Sequence, residues 1–210
     1  MIINKMTVDA GKIEVNNCLT IKGDRHIFSN ALYLDLEHAI YKIPLCMGVL
    51  GTCSYNAGNH TITTEQYMIQ NKKDAHDILY IARDLFAANH HKYIVTFAGE
   101  NDFLVINFLF KKYKIKFNFN THYSVIDLQK QYLKDTGEMI GLKNLEKVFQ
   151  IERDALISGS NLAKTFGKIV RIPEYGKRMD AKKIDRILDY NFHDVVNLFH
   201  ITTNWNKYVN

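Results

Sequence analysis

Two acidic side chains interrupt an otherwise apolar, strand-like run at residues 31–37 of this 210-residue chain. Side chains alternate between the two faces of a β-strand, so Asp35 and Glu37 share one face while Leu34 and Leu36 occupy the other. Two buried carboxylates side by side are costly unless a cation lies between them, and oxygen ligands suit Mg²⁺ or Mn²⁺. The pattern therefore indicates a metal site on a strand or, in the simpler interpretation, acids that mark the end of the strand.

The composition favours one globular domain. The chain is 47% hydrophobic, has two prolines and carries a net charge of +5, which permits a polyanionic partner. No apolar run approaches the about 18 residues of a membrane span, and the start lacks a signal-peptide core, so we expect a cytoplasmic protein without a membrane partner. The three cysteines form no CxxC pair, which favours reduced thiols. We expect one domain over residues 1–210, with a core at about 30–203 and an N-terminal extension at 1–29.

Hydrophobic periodicity predicts a mixed order of strands and helices. The predicted strands are at 31–37, 45–54, 60–68, 93–97 and 124–128, the predicted helices are at 74–89 and 102–112, and the chain is mostly helical from there to Trp205. Periodicity alone supports only an α/β domain.

An acidic residue follows the predicted strand at 93–97. That strand ends in a glycine turn, and Asp102 opens the next helix, with Glu100 as its only nearby competitor. An acid in the first turn of a helix is favoured by the helix dipole, so Asp102 is either a simple cap or a third metal-facing carboxylate.

A tyrosine and an aspartate form a pair near the end of the chain. Tyr190 and Asp194 are four residues apart and therefore lie one above the other on a helix face. A tyrosine on an apolar stripe is usually part of the core, but an acid on the same inward face needs a partner. The pair is thus a structural element or a further part of a metal site.

Together these motifs resemble the DEDD superfamily of 3′–5′ exonucleases, in the tyrosine subclass (DEDDy). The Asp-x-Glu of YLDLEH matches the first family motif, Asp102 in TFAGENDF matches the second, and Tyr190-x-x-x-Asp194 matches the third. Many relatives have Phe-Asp where this chain has Asp102-Phe103, which leaves Glu100 as an alternative for the second position. The segment 125–153 resembles the middle of the YprB-type, ribonuclease D-like branch, with Asp127 after a strand and GLKNLE leading a helix.

The resemblance implies a ribonuclease-H-like fold, with a mixed five-stranded central sheet of three antiparallel strands followed by two parallel ones, flanked by helices. It also implies a metal-dependent 3′–5′ exonuclease that hydrolyses single-stranded DNA or RNA with two Mg²⁺ or Mn²⁺ ions. In that scheme Asp35 would bridge both ions, Glu37 and Asp194 would hold the ion that activates water, and Asp102 would act on the other ion. Tyr190 would orient the attacking water.

Basic residues near two helix ends are candidates for contacts to the nucleic acid. They are Lys111, Lys112 and Lys114, which are interleaved with aromatic residues, and Lys177 and Arg178, which precede the last long helix. The simpler interpretation is that they are solvated helix ends.

Two alternatives to a nuclease remain open. The first is a catalytically inactive ribonuclease-H-like module that binds nucleic acid. The second is a sugar hydrolase, which needs two carboxylates but no metal and no late Tyr-x-x-x-Asp.

Overall fold

The structure, a computed structural model, describes residues 1–88, 90–153 and 159–209. Within these ranges six strands form one sheet in the order β1-β4-β3-β2-β5-β6. The strands are β1 (Ile2–Asp9), β2 (Ala31–Tyr41), β3 (Ile43–Asn56), β4 (Thr61–Met68), β5 (Tyr93–Thr96) and β6 (Ser124–Asp127). Strands β2, β3 and β4 are antiparallel neighbours, whereas β5 pairs in parallel with both β2 and β6.

Helices cover both faces of this sheet. They are α1 (Asp74–Ala88), α2 (Glu100–Lys112), α3 (Phe119–His122), α4 (Leu128–Thr136), α5 (Leu142–Val148), α6 (Gly159–Arg171), α7 (Ala181–Thr203) and α8 (Trp205–Tyr208). No helix in the described ranges is long and apolar enough to cross a membrane.

The predicted α/β architecture, with three antiparallel strands and two parallel ones, is confirmed. The predicted number of five strands is wrong by one, because β1 from the segment 1–29 pairs antiparallel with β4 along its whole length, from Ile2 opposite Met68 to Asp9 opposite Thr61. Most side chains of β1 are exposed, as expected for an edge strand, so it lacks a strong apolar signal. The helix predicted to end at Asn89 extends to Ala88, and Asn89 lies outside the described residues.

The alternation of side chains along β2 decides which helices meet the acids. Leu34 and Leu36 are buried in a hydrophobic cluster that includes residues of α1 and α2. Tyr33 belongs to a second cluster and packs edge-on against Phe199 of α7, with ring centroids 5.6 Å apart. Asp35 shares the face of Tyr33 and therefore lies on the side that α7 covers.

Strand β2 extends beyond its parallel neighbour, so its acidic half does not pair with β5. Within β2, strand β5 pairs only with Ala31–Tyr33. The chain then turns through Ala98, which has a φ of 51°, and enters α2. Asp127 fixes this turn because its Oδ1 accepts hydrogen bonds from the backbone nitrogens of Ala98 and Gln129, each at 3.0 Å. The start of α2 consequently comes to lie beside the second half of β2.

Candidate active site

Three of the predicted site residues form a compact carboxylate cluster. Asp35 and Glu37 extend from β2 and Asp194 from α7, and each places an oxygen within 4.8 Å of the other two. Glu37 is 8% exposed and Asp194 is 3% exposed. Asp35 and Asp194 are 159 positions apart in the sequence, and they meet because α7 packs across the face of β2. Ile187, Val195 and Leu198 are buried on the same helix.

The structure distinguishes the two candidates for the second acidic motif. Asp102 is buried in the first turn of α2, and its Oδ1 lies 3.7 Å from Nε2 of His38 on β2. Burial, followed by the charges of Asp35, Asp127 and Asp194, raises the pKa of Asp102 well above its ordinary value. Glu100 is exposed and pairs with Lys130. Asp102 rather than Glu100 therefore faces the acidic cluster.

Tyr190 lies one helical turn before Asp194 on α7. Burial raises the pKa of its hydroxyl, and the charges of Asp194, Glu37 and Asp35 raise it further. The hydroxyl therefore stays protonated at neutral pH and can donate a hydrogen bond at the edge of the cluster.

The electrostatics of the cluster correspond to a site for a cation. Burial, followed by the charges of Asp35, Asp194 and Asp102, raises the pKa of Glu37 to about 10. Burial also raises the pKa of Asp35 to about 6, although a hydrogen bond from Asn191 opposes this. A divalent ion would stabilise the charged forms of these acids and so oppose both the burial and the repulsion that raise the pKa of Glu37. The donors are all oxygens, which fits Mg²⁺ or Mn²⁺ better than zinc or copper.

We expect the metal-free protein to lose stability as the pH rises, because of Glu37. Its pKa is about 10 in the folded protein against an ordinary 4.5, so the folded state holds a proton that the unfolded chain has lost. The contribution of Glu37 to the free energy of unfolding is therefore fully present below about pH 4.5, and it is lost as the pH rises toward 10.

This expectation is tested by urea unfolding in EDTA between about pH 7 and about pH 8.5. This interval lies above the ordinary pKa of histidine and below that of lysine. The wild-type midpoint should fall over this interval, and both Glu37→Gln and added Mn²⁺ should flatten the decrease. Equal slopes for wild type and Glu37→Gln would contradict the assignment.

An amide pair that the sequence motifs did not indicate holds Asp35. Nδ2 of Asn191 donates to Oδ2 of Asp35 at 2.8 Å, and Oδ1 of Asn191 accepts from Nε2 of Gln66 at 2.9 Å. The same Nε2 donates to the backbone oxygen of Leu188 at 2.7 Å. Because a carbonyl can only accept, this hydrogen bond identifies the nitrogen of the Gln66 amide and thereby fixes the orientation of both amides. Gly51 lies opposite Asp35 on β3, and a Cβ at this position would lie 2.0 Å from Oδ1 of Asn191. The absence of a side chain there lets Asn191 reach Asp35.

A buried arginine holds Asp194, and it too was missed. Nη2 of Arg153 lies 2.7 Å from Oδ1 of Asp194, and Nη1 lies 3.0 Å from Oε1 of Glu146 on α5. Asn197, one turn after Asp194 on α7, donates to the same Glu146 oxygen at 2.7 Å. The guanidinium also donates to the backbone oxygen of Tyr190 at 3.1 Å and lies 5.3 Å from the centre of its ring. Arg153 therefore positions both residues of the third motif.

The predicted nucleic-acid contacts lie at a distance from the acids. Lys111 and Lys112 end α2, ten residues or about 15 Å along the axis from Asp102, and Lys114 follows in the next loop. Lys177 and Arg178 precede α7, whose first residue is about 20 Å along the axis from Asp194. All five are exposed, and their contact with a substrate stays a prediction.

Comparison with known protein families matches residues 32–206 to the RNase H superfamily. A search of curated proteins finds no match. The matched segment starts within β2 and ends in α8, so it includes Asp35, Glu37, Asp102, Tyr190 and Asp194. Membership supports a nucleic-acid-related function, and nucleases of this superfamily generally use divalent metals, in agreement with the buried carboxylates. Since the match covers most of the chain and the sheet has the expected mixed topology, this protein belongs to the RNase H superfamily.

Proposed function

We propose that this protein is a metal-dependent 3′–5′ exonuclease of the DEDDy type, in the YprB-type or ribonuclease D-like branch, that hydrolyses single-stranded DNA or RNA. The observation that carries the proposal is the convergence of oxygens from Asp35, Glu37 and Asp194 within 4.8 Å of one another, with Asp102 buried nearby. The single domain would span residues 1–210. Three buried, free cysteines accord with a reducing compartment and support a cytoplasmic location.

Each residue of the candidate site would have a distinct role in the proposed reaction. Asp35, Glu37, Asp102 and Asp194 would hold two Mg²⁺ or Mn²⁺ ions, which when bound supply an activated water and stabilise the charge that develops on the phosphate and the leaving oxygen. Asn191 keeps Asp35 in one orientation. Arg153 keeps Asp194 in place through Oδ1, and the described part of the chain forms no hydrogen bond to Oδ2. The protonated hydroxyl of Tyr190 would orient the attacking water.

The proposal is tested with 5′-labelled single-stranded DNA and RNA in the presence of Mg²⁺ or Mn²⁺. We expect a ladder of products shortened from the 3′ end, and its loss in EDTA. A matched oligonucleotide labelled at its 3′ end should release labelled mononucleotide at once, which separates this polarity from 5′ attack or internal cleavage.

A second function is favoured by one specific observation. Arg153 already supplies a buried positive charge to Asp194, as a protein without metal would require. The alternative is therefore an inactive nucleic-acid-binding module. Metal-independent binding of the same oligonucleotides without cleavage in Mg²⁺ or Mn²⁺ would support this alternative and contradict the exonuclease. Chelator-resistant cleavage of sugars would contradict both.

A further inference from the structure

A groove of about 440 Å³ lies between the tip of the β2–β3 hairpin and α6. We call it the hairpin–α6 groove and define it by Ile40 and Tyr41 of β2, by Lys164, Lys168 and Arg171 of α6, and by the following Ile172. Its floor begins at Ala39, two residues or about 7 Å along β2 from Glu37. The groove therefore continues along the strand that carries two of the acids.

The groove is positively charged on one wall. Lys164, Lys168 and Arg171 are separated by four and three residues and therefore share one face of α6. All three are exposed, and within the described ranges no acidic residue lines the groove and none of the three forms an ion pair. Cations that are not neutralised by the protein are available to phosphate groups.

The opposite wall presents exposed apolar and aromatic surface. Tyr41 is 64% exposed, and the guanidinium of Arg171 lies 4.7 Å from the centre of its ring. Ile40 and Ile172, 47% and 48% exposed, flank this pair. Aromatic rings beside a cationic wall are typical of surfaces that bind single strands, because bases stack on the rings while the cations follow the backbone.

We propose that the hairpin–α6 groove binds the single-stranded nucleic acid on the 5′ side of the nucleotide held at the acidic cluster. The inference rests on the proposed function, and it adds the surface that would bind the substrate strand. Charge selects this occupant, since a wall with three cations that have no ion-pair partner and no lining acid among the described residues complements a polyanion. The groove thus differs from the basic residues singled out in the sequence, which lie at the ends of α2 and before α7.

The test combines binding and cleavage. Fluorescence anisotropy of a labelled single-stranded oligonucleotide is measured in EDTA over a range of salt concentrations, for wild type and for Lys164→Gln/Lys168→Gln. Each phosphate contact contributes about 0.7 to the slope of log affinity against log salt for single strands, so the double variant should lower the magnitude of the slope by about 1.4. Lys134→Gln/Lys147→Gln, with the same charge change on exposed positions of α4 and α5, should retain the wild-type slope.

Cleavage of a long oligonucleotide and of a dinucleotide then separates this inference from the proposed function. The groove variant and Tyr41→Ala should raise KM for the oligonucleotide and leave dinucleotide cleavage unchanged. If wild type cleaves neither substrate, the exonuclease proposal fails, while a groove-dependent salt slope would still support the binding site. An unchanged slope in the groove variant would overturn the inference. The inference would also be overturned if the groove variant lost binding to anionic phospholipid vesicles but kept its binding to the oligonucleotide. That result would assign the groove to a membrane surface.

Discussion

Replacing Asp35 with asparagine should reduce phosphodiester hydrolysis at least several hundredfold. Asp35 is one of the three acids whose oxygens converge, and it is one of the four proposed metal ligands. Loss of one preorganised electrostatic group costs about 3–4 kcal/mol of transition-state stabilisation. The expected drop is measured as kcat on a single-stranded oligonucleotide at saturating Mn²⁺.

The same substitution should not destabilise the metal-free fold. An asparagine oxygen can still accept the hydrogen bond from Asn191, and the change removes a charge that raises the pKa of Glu37. The midpoint of unfolding in EDTA should therefore equal or exceed that of wild type. Asp185→Asn, on an exposed position of α7, is the matched control and should leave both activity and stability unchanged. A small loss of activity in Asp35→Asn, or a loss that merely follows unfolding, would contradict the metal-ligand role.

Replacing Arg153 with methionine should destabilise the protein by about 3–5 kcal/mol, since removal of one partner leaves buried charges without compensation. The side chains of Arg153, Glu146 and Asp194 are 5%, 3% and 5% exposed. Methionine fills a similar volume, so the loss reports on charge rather than on a cavity. The measurement is the free energy of unfolding in urea at about pH 7. Added Mn²⁺ should recover part of the loss, because a cation near Asp194 replaces part of the missing charge.

Arg83→Met is the control for this prediction. Arg83 pairs with its neighbour Asp84 at 2.6 Å, but the two side chains are 37% and 65% exposed. A surface pair of this kind contributes less than about 1 kcal/mol. Equal losses in Arg83→Met and Arg153→Met would show that Arg153 is not a buried anchor.

Local patterns predicted most of the acidic site. Alternation along β2 placed Asp35 and Glu37 on one face, and the helical repeat placed Tyr190 above Asp194. Both patterns depend only on residues within one element, so the sequence carries them completely. That Asp102 rather than Glu100 turns inward depends on the turn at Ala98, which Asp127 of another strand fixes. No periodicity near residue 102 contains that information.

The anchors of the site could not be predicted in the same way. Arg153 is 41 residues from Asp194 and lies outside any helix or strand, so only the fold brings the two together. One signal was available: Asn191, Asp194 and Asn197 follow each other at three-residue spacing on a buried helix face. Polar side chains in such a stripe need partners, and these proved to be Gln66, Arg153 and Glu146.

The hairpin–α6 groove was missed because β2 is longer than its pattern suggests. The strand extends to Tyr41, four residues beyond the predicted end, and its pairing with β3 shifts register after Glu37 and again after Ala39. Each shift interrupts the alternation that signals a strand. The apolar residues Ile40 and Tyr41 consequently look like the start of a loop in the sequence, whereas in the fold they form one wall of the groove.

The most direct test of the central claim, that the carboxylate cluster holds catalytic metal ions, is an anomalous difference map from a crystal soaked in Mn²⁺ with a nucleoside monophosphate. We predict manganese peaks bound by Asp35, Glu37 and Asp194, with the phosphate beside them. A map without manganese at these carboxylates, in a crystal where Arg153 still pairs with Asp194, would contradict the account.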